Sequence, residues 1–212
     1  MFITLEGIEG SGKTTQLEHM VEYLTLKGHD CTVTREPGGT PIGQQIRAIL
    51  LDPDNKALAP LSELLLYAAD RAQHIQTKII PDLSDGKTVV CDRFFDATTV
   101  YQGYGRALDI SVINRLHEIV LNGLKPDLTI LFDLPVEVGL SRAWKQINEG
   151  SRSDLETRFE KETMAFHQKI RDGYLELARR EPGRFRVIDA AGSLETVKET
   201  VCKTLSLHLG TD

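Results

Sequence analysis

The chain has 212 residues, 41% of them hydrophobic and 26% charged, with a formal net charge of −6. These are ordinary globular values that argue against disorder, repeats and fibrous architectures, and a chain of this length buries about 70% of its unfolded surface, enough for one domain with at most an inserted flap. The acidic balance disfavours non-specific nucleic-acid binding. No apolar run reaches the roughly 20 residues of a membrane span, no leader segment opens the chain, and three cysteines without a C-x-x-C pair fit a reducing compartment, so a cytoplasmic protein without a membrane or nucleic-acid partner is expected.

Phe2–Glu6 reads as a strand, followed by the stretch GIEGSGKTT. From Lys13 the apolar spacing of Leu17, Met20, Val21 and Leu24 predicts a helix ending near Gly28. Cys31–Arg35 reads as a second strand, with Arg47 on the helix after it. Two helical patterns run between Pro60 and Leu83, with Pro81 as a kink or boundary. Thr88–Cys91, Leu128–Phe132 and Phe185–Ile188 complete the strands, and helical patterns cover Ile110–Leu121, Val136–Lys145, Leu155–Ala178 and Leu194–Leu207. Five strands alternating with helices predict an α/β fold, a parallel sheet covered on both faces. Gly150–Asp154 lacks apolar periodicity and reads as a mobile flap between two helices.

Gly7, Gly10, Gly12, Lys13 and Thr14 fit the phosphate-binding pattern G-x-x-x-x-G-K-S/T, with the strand before and the helix after that this pattern requires. Glycines let backbone N–H groups converge on phosphate oxygens, Lys13 reaches the β and γ oxygens, and the Thr14 hydroxyl is placed to ligand Mg²⁺. A flexible glycine turn with an exposed lysine is the bland alternative, and a chance match has odds of about one in a hundred. A guanine-reading N-K-x-D is missing, since Asn55-Lys56-Ala57-Leu58 lacks the aspartate. Asp92 at the third strand's end is followed by Arg93, which suits a second anion better than a hydrolytic water. Arg35, Arg47 and Arg93 all fall near strand ends, where ligands of open α/β sheets collect, although each alone is more often an ion pair.

The chain resembles the bacterial type of thymidylate kinase in GIEGSGKTT, TREPGGT, IRAILL, LLLYAADRAQH, CDRF, ATTVYQGYGR, PDLTILFDLPVEVGL and TRFE, which span nearly its whole length. The resemblance implies a three-layer P-loop kinase fold, a single domain over residues 1–212 with a lid near 142–158, and a homodimer that phosphorylates dTMP to dTDP with ATP and Mg²⁺. It assigns Gly7, Ile8, Glu9, Gly10, Ser11, Gly12, Lys13, Thr14 and Thr15 to ATP, with Arg142 packing on adenine. Arg93 and Arg47 are implied to hold the dTMP phosphate, near Arg35, Glu36 and Pro37. Tyr67 stacks on thymine in this reading, although its residue pattern alone favours a core aromatic. Arg71 donates to thymine O4, Thr98 and Gln102 complete base recognition, and Tyr101 crowds the sugar 2' position. Asp92 either lies near the metal or orients Arg93.

Lys13, Arg93 and the lid arginines Arg152 and Arg158 are the implied catalytic residues, with a mixed-charge helix surface as the plain alternative for the lid. The acceptor phosphate has a second pKa near 6, so no general base is needed. His19, His29, His74, His117, His167 and His208 show no metal spacing and are read as surface or core residues. Two departures stand out: Thr157-Arg158-Phe159-Glu160 where the family often has Asp first, and Ala97 in place of a serine. Glu9 is unexpected in an anion-binding loop. It is read as accepting a hydrogen bond from the deoxyribose 3'-hydroxyl, against the alternative of a solvent-facing loop residue.

Overall fold

The computed structural model describes residues 1–150 and 157–210. Strands β1 (Phe2–Glu6), β2 (Cys31–Arg35), β3 (Thr88–Asp92), β4 (Leu128–Asp133) and β5 (Phe185–Asp189) form one parallel sheet in the order β2-β3-β1-β4-β5. All of β1 is buried, as are the first four residues of β3 and the first five of β4. These central strands therefore read as predominantly apolar runs without regular alternation.

Successive side chains point to opposite faces of a strand, and each face finds its own layer. Phe2, Val89 and Cys91 pack with Ile75, Ile79, Phe94 and Leu121, whereas Ile3, Leu5 and Val90 join Met20, Leu24, Ile130 and Leu205. The described helices are α1 (Lys13–Leu26), α2 (Pro41–Leu51), α3 (Pro60–His74), α4 (Ile80–Ser84), α5 (Phe95–Thr98), α6 (Ile110–Leu121), α7 (Val136–Asn148), α8 (Met164–Arg180) and α9 (Leu194–Leu209). The chain moves from β1 outward to β2 and β3 on one side and to β4 and β5 on the other, which opens a crevice at the carboxyl end of β1. The glycine-rich loop emerges there. No described helix is long and apolar enough to cross a membrane.

Three local features differ from the expected pattern. Between Pro60 and Ser84 the helix continues without interruption, through a wider π segment at Ile75–Ile79. An α-helical Pro81 lacks an N–H and drives its ring at the carbonyl four residues back, and a wide turn immediately before it relieves that conflict. Phe95–Thr98 and the π segment Thr99–Gly105 form a helical stretch whose glycines and β-branched residues disguise it. Residues 157–163 are turns rather than the start of a long helix; α8 begins at Met164, where the Thr163 side chain accepts from Phe166 N.

Candidate active site

The loop after β1 is shaped by glycines at left-handed φ angles, 68° at Gly10 and 86° at Gly12. Gly10 also needs its missing side chain, because a Cβ there would lie 1.9 Å from Gly139 O on α7. Reciprocally, a Cβ on Gly139 would lie 2.6 Å from Glu9 O. The loop is thus clamped against α7 by a glycine pair. Lys13 is buried and donates to Gly7 O and Ile8 O at 3.0 Å and to Ser11 Oγ at 3.1 Å. Burial, helped by the charge of Arg93, lowers its pKa to about 8, against the pull of Asp92, Glu9 and Glu6. Thr14 and Thr15 are exposed on the first turn of α1.

One cleft opens from this loop toward α7 and α9 and is lined by Gly10, Ser11, Gly12, Thr15, Gln146, Gly192 and Arg142. Arg142 is fixed there by donating to Ala190 O at 2.8 Å and Ala191 O at 3.3 Å. Its guanidinium forms a wall of the cleft.

A second pocket lies on the other side of Glu9. Glu36, Pro37, Arg47, Tyr67, Arg71, Arg93, Thr98, Tyr101 and Gln102 line it together with Glu9, and Leu51, Phe94, Ala97, Phe159 and Glu160 add to the wall. Arg71 is only 2% exposed and is held at Nε by Glu36 Oε2 (2.7 Å) and at Nη2 by Thr98 Oγ1 (3.0 Å) and Phe94 O (3.1 Å). Glu36, which precedes a cis peptide bond to Pro37, accepts from His74 Nδ1 at 2.9 Å through its other oxygen. A carboxylate only accepts, so His74 carries its proton on Nδ1 and, in the neutral ring, Nε2 accepts from the Thr34 hydroxyl at 2.6 Å.

Arg93 adopts φ 65°, a left-handed conformation that a non-glycine residue enters at a cost. Its side chain donates to Glu9 Oε1 at 3.2 Å and to Tyr174 Oη at 3.1 Å and lies over the Tyr101 ring at 5.0 Å. Tyr101 Oη donates to Glu9 Oε1 at 2.6 Å. Burial alone would raise the pKa of Glu9, but His167, Arg93 and Tyr101 outweigh it and hold the carboxyl well below its usual range. Beneath, Glu6 accepts from Tyr174 Oη at 2.7 Å and Phe94 N at 2.8 Å, and its pKa is pushed up to about 7 by burial and then by Asp96.

The arrangement puts a polyanion site and an aromatic, arginine-lined pocket on either side of one residue. The sequence profile described as Thymidylate kinase matches residues 5–201. The chain belongs to the thymidylate kinase family. Curated relatives include the thymidylate kinases of Desulfosudis oleivorans, 60% identical over 192 residues (91% of this chain and 90% of that one), and Desulforapulum autotrophicum, 55% identical over 212 residues (100% and 93%). Among solved structures, the crystal structure of thymidylate kinase from Ehrlichia chaffeensis superposes with a TM-score of 0.76 at 35% identity, covering 97% of this chain and 98% of that one.

Within this family framework, ten of the residues expected at the acceptor line the second pocket together, while Arg35 is exposed and does not line it. Arg158 does not line it either: its Nη1 reaches the buried Glu63 Oε2 at 2.5 Å and donates to Leu50 O at 3.1 Å. Gln102 donates to the other Glu63 oxygen at 2.8 Å. Arg152 and the rest of residues 151–156 of the expected lid fall outside the described residues. Glu9 is 6% exposed, so it is not a solvent-facing loop residue. Sequence reasoning missed His74 and His167. His74 sits three residues after Arg71 on α3, a same-face spacing that could have found it. His167 carries no such signal.

Proposed function

We propose that this chain transfers the γ-phosphoryl group of ATP to dTMP, giving dTDP and ADP, as a single domain whose segment near 142–158 acts as the lid. The observation that carries this reading is Glu9, a residue of the phosphate loop that also lines the arginine-rich pocket, so that donor and acceptor meet across it. The loop amides and Lys13 hold the donor phosphates, and Arg142 packs on adenine. Arg47 and Arg93 present guanidinium forks to the acceptor phosphate.

At the base, Arg71 has Nε and Nη2 committed to protein, which leaves Nη1 to donate to thymine O4. Cytosine offers a donor amino group at that position, so a donor-only guanidinium rejects it. Tyr67 stacks on the ring, Gln102 completes the base edge, Glu9 accepts from the sugar 3'-hydroxyl, and Tyr101 blocks the 2' position. The acceptor phosphate is already ionised at neutral pH and attacks without a general base. Positive charge from Lys13, Arg93 and the lid arginines Arg152 and Arg158 stabilises the migrating phosphoryl group.

Thr14 and Asp92 are hard oxygen donors that fit Mg²⁺, and Asp92 Oδ1 is buried with no hydrogen-bond partner among the described residues. When bound, Mg²⁺ neutralises charge on the donor phosphates. A homodimer is supported by Leu61 and Leu65 on α3 and Val112 and Ile119 on the adjoining α6, which are exposed apolar residues that a second copy would cover. A cytoplasmic setting is supported by Cys31, Cys91 and Cys202, all of them unpaired thiols.

The test is ADP release in the presence of ATP and Mg²⁺. Release that begins only when dTMP is added supports the kinase reading, whereas release without an acceptor marks an ATPase and overturns it.

A further inference from the structure

His167 on α8 is fully buried, with the Phe166 ring edge-on at 5.6 Å. Among the described residues His167 Nε2 has no hydrogen-bond partner, and neither Nδ1 nor Glu9 Oε2 has a partner beyond the other. His167 Nδ1 and Glu9 Oε2 are 3.3 Å apart. Each buried donor or acceptor left unpaired costs about 1–3 kcal/mol. A residue kept only to fill the core would not carry this cost, since a phenylalanine or leucine fills volume without a polar atom.

The two oxygens of Glu9 are in different situations. Oε1 is fixed by the Tyr101 hydroxyl and Arg93, at 2.6 and 3.2 Å. Oε2 faces His167, with Nδ1 3.3 Å away. A carboxylate oxygen has two lone pairs, so the same oxygen accepts from an imidazole and from a substrate hydroxyl together.

We propose that His167 is a positioning residue for sugar recognition, whose Nδ1–H steers Glu9 Oε2 toward the 3'-hydroxyl of the acceptor nucleotide. This rests on the reading of Glu9 as the sugar acceptor. The imidazole touches neither the substrate nor the reacting atoms. Its effect is confined to substrates that carry the 3'-hydroxyl.

That restriction supplies the test. kcat/KM is measured for dTMP and for its 3'-deoxy analogue with the native enzyme and with E9Q, H167F and H167N, each checked for folding by thermal melting. H167F keeps the ring volume without a donor, and H167N places an amide N–H near the position of Nδ1. H167F is expected to lower kcat/KM for dTMP by about tenfold, or ~1.4 kcal/mol, chiefly through KM, while the 3'-deoxy analogue is turned over as by the native enzyme. H167N is expected to recover most of the difference. A parallel loss on both substrates, or H167N behaving as H167F, assigns His167 to packing and overturns the proposal. E9Q separates the two claims: if it keeps native discrimination between the substrates, the Glu9 reading fails and takes this proposal with it. If E9Q abolishes discrimination and H167F preserves it, the proposal alone fails.

Discussion

Arg71 and Glu36 form a buried ion pair, Nε to Oε2 at 2.7 Å, with each side chain only 2% exposed. Because His74 engages the other Glu36 oxygen, the carboxylate cannot turn without breaking one of the two bonds. The guanidinium that lines the pocket is therefore aimed from behind. Glu36→Gln keeps the shape but replaces one acceptor oxygen with a donor, which opposes either Arg71 or His74. The expected outcome is a loss of about 2–3 kcal/mol of stability, typical of a hydrogen bond to a charged group, and a KM for dTMP raised at least about tenfold. KM for ATP should stay within about twofold. Thermal melting and steady-state kinetics check both.

Gly139→Ala reverses an ordinary rule. In the interior of a helix this change stabilises by about 1 kcal/mol. Here the new Cβ would lie 2.6 Å from Glu9 O and 3.0 Å from Ile8 Cδ1, so the phosphate loop must shift. The variant should be destabilised by about 1–3 kcal/mol, the cost of overpacking, and its KM for ATP should rise. A melting temperature above the native one would refute this account of the glycine pair.

Glu6 makes stability depend on pH in a definite direction. Its pKa in the folded state is raised to about 7 from an ordinary value of 4.5, so between these values the folded protein binds more protons than the unfolded one. Stability from this group is fully present below pH 4.5 and is lost as pH rises through about 7. Glu6→Gln removes the titration while keeping a side chain that can still accept from Phe94 N. Its melting temperature relative to the native enzyme should therefore improve from pH 5 to pH 8. A difference that is constant or that falls over this interval would contradict the assignment.

Arg142→Ala should act on one substrate only. The guanidinium is pinned to Ala190 O and Ala191 O and lines the donor cleft, not the acceptor pocket. KM for ATP should rise about tenfold, consistent with loss of one stacking contact of ~1–2 kcal/mol, with KM for dTMP unchanged. Equal effects on both constants would point to a general disturbance of α7 instead.

The sheet was legible in the sequence because parallel strands buried on both faces leave short, predominantly apolar runs without regular alternation, as in Phe2–Glu6 and Leu128–Asp133. The phosphate loop was legible because glycine, lysine and threonine spacing is itself the geometry of the site. The helical stretch Phe95–Gly105 was not, since packing of Val100 and Tyr101 into the core outweighs the poor helix propensity of its glycines. The turn at 157–163 was hidden by apolar spacing that merely resembles a helix, although Thr163 followed by Met164 carries a capping signal. Partnerships across long sequence distances were invisible as well. Arg158 reads as a lid arginine, and nothing in the sequence shows that Glu63, far away in the chain, pairs with it. His74 and His167 became informative only when their burial and neighbours were known.

The most direct measurement of the central claim is the ratio of kcat/KM for dTMP and dCMP, with ATP and Mg²⁺ at saturation. A pocket in which Arg71 reads O4 leaves a buried donor facing the cytosine amino group, and such mismatches reject a substrate by about 100-fold or more. A preference for dTMP of at least that size is expected. Equal turnover of the two nucleotides would contradict it.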